Sequence, residues 1–133
     1  MEMCVAGTRI TQEGVDSMET KNQDRISELV EKQKDTYTSM ADEIWGYAEP
    51  RFQEYESSRV QQEYLASRGF SIRADLAGEK TAFIAEWGSG KPVLAFLGEF
   101  DALSSLQQEA DNLERCPIPG KTNGHGCGHH LLG

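Results

Sequence analysis

The chain has 133 residues and a formal net charge of −9, because 22 acidic residues outnumber 13 lysines and arginines. This length allows one domain with a modest core, and the acidic balance argues against nucleic acid, whose phosphates need basic contacts. No apolar run approaches the roughly 20 residues that cross a bilayer, so we expect neither a membrane segment nor a membrane partner.

The first twenty residues show neither a signal-peptide pattern nor a regular hydrophobic period. Because they are mostly polar, we expect residues 1–20 to form a disordered tail before a domain that covers residues 21–133. The three cysteines are unevenly spaced and no export signal precedes them. These features together predict a cytoplasmic location, where thiols stay reduced.

Apolar residues recur every three or four positions from Asn22 to Ala48, which predicts one long amphipathic helix ending before Pro50. An acidic turn follows at residues 49–56, and we interpret its carboxylates as solvated surface. Ser57 or Ser58 is expected to cap a second helix. Gly69 is expected to take the left-handed position after that helix ends.

Strand patterns follow the second helix. Residues 70–74 and 81–87 predict two strands, and the almost entirely apolar residues 92–97 predict a third, buried on both faces. The polar residues 104–122 are expected to form a long loop, and long loops in compact domains are often functional. This order of elements predicts an α/β fold in which helices cover a mixed sheet.

Two carboxylates come directly after the predicted buried strand. Glu99 and Asp101 are two positions apart and should point the same way, at the strand end where open α/β sheets bind ligands. Acids in such a place can ligate a metal ion or orient a ligating histidine. Alternatively, they cap the strand or a helix that begins at Ala102.

Residues 125–130 read His-Gly-Cys-Gly-His-His and contain all three histidines of the chain. In an extended segment, His125, Cys127 and His129 would share one face, and the glycines would let the backbone approach an ion. Imidazole and thiolate suit zinc, manganese or iron. The alternatives are a chance occurrence in a Gly-rich loop, a disulfide between Cys127 and Cys116, and a structural zinc module that also uses His130.

Residues 90–103 and 123–129 resemble the aminoacylase-like metallopeptidases, and within them the amidohydrolase branch that contains the indole-acetyl-amino-acid hydrolases. The resemblance runs from about Asp42 to Gly133, and its specific part is the run His-Gly-Cys-Gly-His. It implies a zinc-exopeptidase-like catalytic domain, of which residues 21–133 are the N-terminal portion. The sequence is therefore expected to be a truncated one.

The resemblance further implies a centre of two divalent ions, zinc or manganese, that hydrolyses an N-acyl or N-aroyl amino acid or a dipeptide-like substrate. It assigns Cys127 and His129 as metal ligands, Asp101 as a catalytic residue and Glu99 as a ligand or its substitute. His130 departs from the Asp or Asn usual at its position; like His125, it is expected to add a donor or to lie behind the ligands. Homodimers and heteromers both fit the resemblance.

In the family the glutamate general base and the remaining ligands come later than the metal loop, beyond Gly133. The chain alone is therefore expected to bind metal weakly at best and to be inactive. Two alternatives to an enzyme stay open: a truncated, catalytically inactive product, and a small structural metal-binding module that would unfold without its ion.

Overall fold

The computed structural model describes residues 12–133, and side-chain environments from residue 20 onward. The elements are helices α1 (Gln12–Tyr47) and α2 (Tyr55–Ser67), strands β1 (Ser71–Leu76), β2 (Glu79–Glu86), β3 (Leu103–Ser104) and β4 (Asn123–Gly124), and a short 3-10 turn (His129–Leu131). Residues 1–11 of the predicted tail lie outside the described residues, and the helix already begins at Gln12, earlier than the predicted Asn22.

Two compact units divide the chain, one up to Tyr37 and the other from Thr38 to Gly133. Within the first unit the apolar stripe of α1 is not buried, since Ile26, Leu29 and Val30 are 54–61% exposed. Ile44, in the second unit, is only 2% exposed. The predicted apolar face therefore becomes a core only near the helix end, because a stripe is buried only where other elements pack on it.

An antiparallel hairpin of β1 and β2 forms the larger sheet, with Ser71 paired to Glu86 and Leu76 to Glu79. Helix α2 packs on it, and the Ser58 hydroxyl donates a 2.7 Å hydrogen bond to the Thr81 carbonyl. Gly69 has φ +88° and ends α2, as predicted. The amides of Gly69 and Phe70 bond back to the carbonyls of the last helical turn, the usual left-handed helix ending.

The predicted cap of α2 is wrong. The helix begins at Tyr55, so Ser57 and Ser58 lie inside its first turn and are buried. Glu49 caps it instead: its carboxylate accepts bonds from the amides of Glu56 and Ser57, at 3.0 and 2.9 Å. A carboxylate suits this place because the first amides of a helix lack internal partners.

The acidic turn is not simply a solvated surface. Glu54 is 7% exposed and accepts a 2.8 Å hydrogen bond from the Thr81 hydroxyl. Glu49 also accepts a bond from the Ser57 hydroxyl at 2.8 Å. These contacts join the turn to α2 and the hairpin, which corrects the sequence interpretation of two of its carboxylates.

The apolar segment, residues 92–97, is not a buried strand. It has no regular secondary structure, and its large side chains are 77–96% exposed: Val93, Leu94, Phe96 and Leu97. A strand buried on both faces needs hydrogen-bonded neighbours and covering layers. Within residues 12–133 no strand pairs with this segment, so its apolar composition does not lead to burial here.

The second sheet is a short antiparallel pair, in which Leu103 of β3 faces Gly124 of β4. Most of residues 104–122, the predicted loop, lies outside regular structure. A single parallel bridge joins Pro50 to Ala102 among the described residues. Helices and strands are thus both present, as the α/β prediction requires, but both sheets are antiparallel rather than mixed.

Candidate functional site

Two segments meet in the second unit: the acid segment, residues 98–102, and the histidine segment, residues 123–131. The closest polar contact between them joins Asp101 Oδ1 to His129 Nδ1 at 2.7 Å. A carboxylate oxygen accepts, so Nδ1 of His129 carries a proton, and Nε2 is the ring nitrogen left to bind a metal ion. This is the arrangement in which a carboxylate orients a metal-binding histidine.

Glu99 lies on the other side of the same imidazole. Its Oε2 is 3.5 Å from His129 Nε2, and the Glu99 side chain is 65% exposed. If the ring is neutral, the lone pair of His129 Nε2 points toward the negative carboxylate of Glu99, and the two repel each other. A positive ion between the two atoms removes this repulsion. Two ligands of one tetrahedral zinc ion lie about 3.4 Å apart, so this separation fits a shared ion.

His125 occupies a different place from His129. It is 5% exposed, and its Nε2 donates a 3.0 Å hydrogen bond to the Ile44 carbonyl near the end of α1. Its Nδ1 is buried and has no hydrogen-bond partner. Burial lowers the pKa of His125 below its usual value, and this effect outweighs the Ile44 bond, which raises it. A neutral ring that carries its proton on Nε2 satisfies all these observations.

His130 packs in the same cluster. Its ring lies edge-on to Trp45 with 4.9 Å between centroids, and 5.0 Å from the ring of His125. Burial also lowers the pKa of His130, followed by the effect of His125, while Asp42 acts in the opposite direction. The residue that departs from the family motif thus contributes an aromatic contact, and its buried Nδ1 has no partner.

Cys127 is exposed, and both it and Cys116 are free thiols, so the disulfide alternative is wrong. The histidine segment is not extended either. It turns at Gly126 and Cys127, passes through Gly128 at φ +75°, and enters the 3-10 turn. The predicted shared face of His125, Cys127 and His129 therefore does not form, since only a continuous strand repeats its side-chain direction every second residue.

No three His, Cys, Asp or Glu side chains gather into a metal-binding group anywhere in the described part of the chain. The four donors of a structural zinc module are therefore not brought together. The pair of His129 and Glu99 fits one ion in donor type and spacing, with Asp101 behind the histidine. The residues present thus fit part of a metal centre.

The sequence interpretation missed the support that the end of α1 and the residues just after it give to the site. The Ile44 carbonyl accepts from His125, and the Glu49 carbonyl accepts a 2.7 Å bond from the amide of Ala102, next to Asp101. Backbone acceptors leave no residue signature, so composition could not reveal them. Gly98 adds a close approach: a Cβ there would lie 2.5 Å from the carbonyl oxygen of Leu132.

The chain is 43% identical over 108 residues to one component of the p-aminobenzoyl-glutamate hydrolase of Escherichia coli strain K12, its B subunit. The matched region covers 81% of this chain and 22% of that protein, so the chain spans about a fifth of its relative's length. No family model and no solved structure matches the chain. The resemblance that the motifs predict is thus confirmed: over most of its length this chain is similar to part of a p-aminobenzoyl-glutamate hydrolase.

Proposed function

We propose that this chain supplies part of the centre of a metal-dependent amidohydrolase, which cleaves the amide bond of an N-acyl or N-aroyl amino acid such as p-aminobenzoyl-glutamate. The observation that carries the proposal is the row Asp101–His129–Glu99, with contacts of 2.7 and 3.5 Å. The relative's name supplies the reaction and substrate class. A zinc-exopeptidase-like domain is part of the same proposal.

His129 Nε2 and Glu99 would hold one of two divalent ions, zinc or manganese, and Cys127 is the proposed third ligand. Asp101 keeps the proton on His129 Nδ1, so that Nε2 stays available as a donor. Such an ion, when bound, polarises the substrate carbonyl and activates a water molecule. His125 and His130 would stay behind the ligands, since both are packed beside Trp45.

Assembly and location are also part of the proposal. The relative is named as a subunit, which favours assembly with another chain over a homodimer. Both described cysteines are free thiols, which agrees with a reducing cytoplasm. No helix among the described residues is long and apolar enough to cross a membrane.

Metal binding is the first test. Zinc affinity of the purified chain, measured by competition with a chromophoric chelator, should fall about 10- to 100-fold in His129→Ala and about 10-fold in Asp101→Asn. Glu63→Gln, which changes an exposed carboxylate paired with Arg59 on α2, is the matched control and should bind like the wild type. Equal affinity in all four proteins would rule out a centre at His129.

Hydrolysis is the second test. The described residues gather only two donors, so we expect the isolated chain to release no measurable p-aminobenzoate. A hybrid in which the 108 matched residues replace those of the E. coli protein should hydrolyse p-aminobenzoyl-glutamate in a chelator-sensitive way. His129→Ala should lower that rate on the order of 100-fold or more.

The hybrid also separates the alternative function. A catalytically inactive product is favoured by the absence of a three-donor group among residues 20–133. A hybrid that folds and assembles but stays inactive, while the unaltered E. coli enzyme works, would support that alternative. Activity that persists in the His129→Ala hybrid would instead show that a different set of residues performs the reaction.

A further inference from the structure

The end of α1 and the residues just after it contact both segments of the candidate centre. The Glu49 carbonyl accepts a 2.7 Å hydrogen bond from the amide of Ala102, and Ala102 directly follows Asp101. The Ile44 carbonyl accepts a 3.0 Å hydrogen bond from the side chain of His125, and His125 comes four residues before His129. One contact is made by backbone alone, whereas the other depends on a side chain. The second is therefore the one that a substitution can remove.

The His125 contact is specific to one ring nitrogen. The Ile44 carbonyl can only accept, so Nε2 must carry the proton, and the buried Nδ1 has no partner. That single hydrogen bond fixes the orientation of a ring that is 5% exposed. Ile44 also accepts a 3.2 Å bond from the amide of Ala48, so its carbonyl keeps a partner when His125 is changed.

We propose that His125 is a positioning residue of the candidate metal centre: its Nε2–H bond to the Ile44 carbonyl fastens the histidine segment to the end of α1, and thereby holds His129 against Asp101. The proposal rests on the proposed function, because only that function makes His129 a metal ligand. The contact between Asp101 and His129 does not depend on that function, since it is present in the chain itself.

Two amide substitutions separate the hydrogen bond from the space that the ring fills. His125→Gln places an N–H the same number of bonds from Cα as Nε2 does, so it can still donate to Ile44. His125→Asn is one bond shorter and cannot reach that carbonyl. A third variant, His125→Phe, keeps a flat ring without a donor. Thermal unfolding followed by circular dichroism shows which variants fold.

We expect zinc affinity to fall about 10-fold in His125→Asn and His125→Phe, the effect typical of lost support behind a ligand, and to stay within a few-fold of wild type in His125→Gln. In the metal-free chain, side-chain ¹⁵N NMR should show His129 with its proton on Nδ1 in the wild type and in His125→Gln. The Asn and Phe variants should show both tautomers of His129.

The outcomes are distinguishable. A wild-type chain that binds no zinc refutes the metal centre, while the His129 tautomers still decide the positioning role. The proposal is overturned if His129 stays in the Nδ1–H form in all variants, or if the Gln and Asn variants lose zinc affinity equally. It is also overturned if affinity falls only as far as the folded fraction falls, because His125 would then be merely structural.

Discussion

Ile44 is buried in the last turn of α1, whereas the large apolar side chains of the apolar segment, residues 92–97, are exposed. Ile44 is 2% exposed, and its carbonyl accepts bonds from Ala48 and His125. Phe96, in a far more apolar stretch, is 95% exposed and lies outside regular structure. Apolar composition thus predicts burial only where other elements supply both packing and hydrogen-bond partners.

The largest expected effect tests this contrast directly. Ile44→Ala should lower the free energy of unfolding by about 3 kcal/mol, because it opens a cavity beside the site. Phe96→Ala removes a larger side chain but should change that free energy by no more than about 0.5 kcal/mol, since solvent already surrounds the ring. Urea denaturation measures both. A cost for Phe96→Ala close to that of Ile44→Ala would show that the apolar segment is buried in solution.

A smaller effect should follow from the cap of α2. Glu49→Ala removes the acceptor of two helix amides and of the Ser57 hydroxyl, and should cost about 1 kcal/mol of unfolding free energy. Glu49→Gln keeps one side-chain oxygen and should cost less. Glu43→Ala, on α1, changes an exposed acid and serves as the control. An equal cost for Glu43→Ala and Glu49→Ala would contradict the capping role.

The smallest effect concerns pH. Burial lowers the pKa of His125 and His130 in the folded chain below the usual value of 6.5. The unfolded chain therefore binds protons more readily, so the stabilisation is complete above pH 6.5 and declines as the pH falls below it. Denaturation of the metal-free chain at about pH 7.5 and about pH 5.5 measures the decline. His125→Gln should reduce the slope, whereas Phe96→Ala should leave it unchanged.

Local signals in the sequence predicted local structure well. Pro50 marked the end of α1, and Gly69 marked the left-handed residue after α2. The structure brings Glu99 and Asp101 within 3.5 and 2.7 Å of His129, although no strand precedes the two acids. The roles of Glu99 as a ligand and of Asp101 as a catalytic residue stay predictions.

Features that depend on tertiary partners were not predictable. Nothing in the acidic turn distinguishes the buried Glu54 from the exposed Glu56, since only the fold brings Thr81 to one of them. The prediction that Cys127 shares a face with His125 and His129 assumed an extended segment. The turn at Gly126 makes that assumption wrong. The failure at residues 92–97 is of the same kind, because a strand exists only through its neighbours.

The close approach of Gly98 to Leu132 restricts how this protein can vary. Any residue with a Cβ at position 98 would have to displace a backbone carbonyl, which cannot rotate away as a side chain can. That displacement would begin one residue from Glu99 and one residue from the end of the turn that carries His129. A single added methyl group, neutral in charge, would therefore alter both sides of the candidate centre at once.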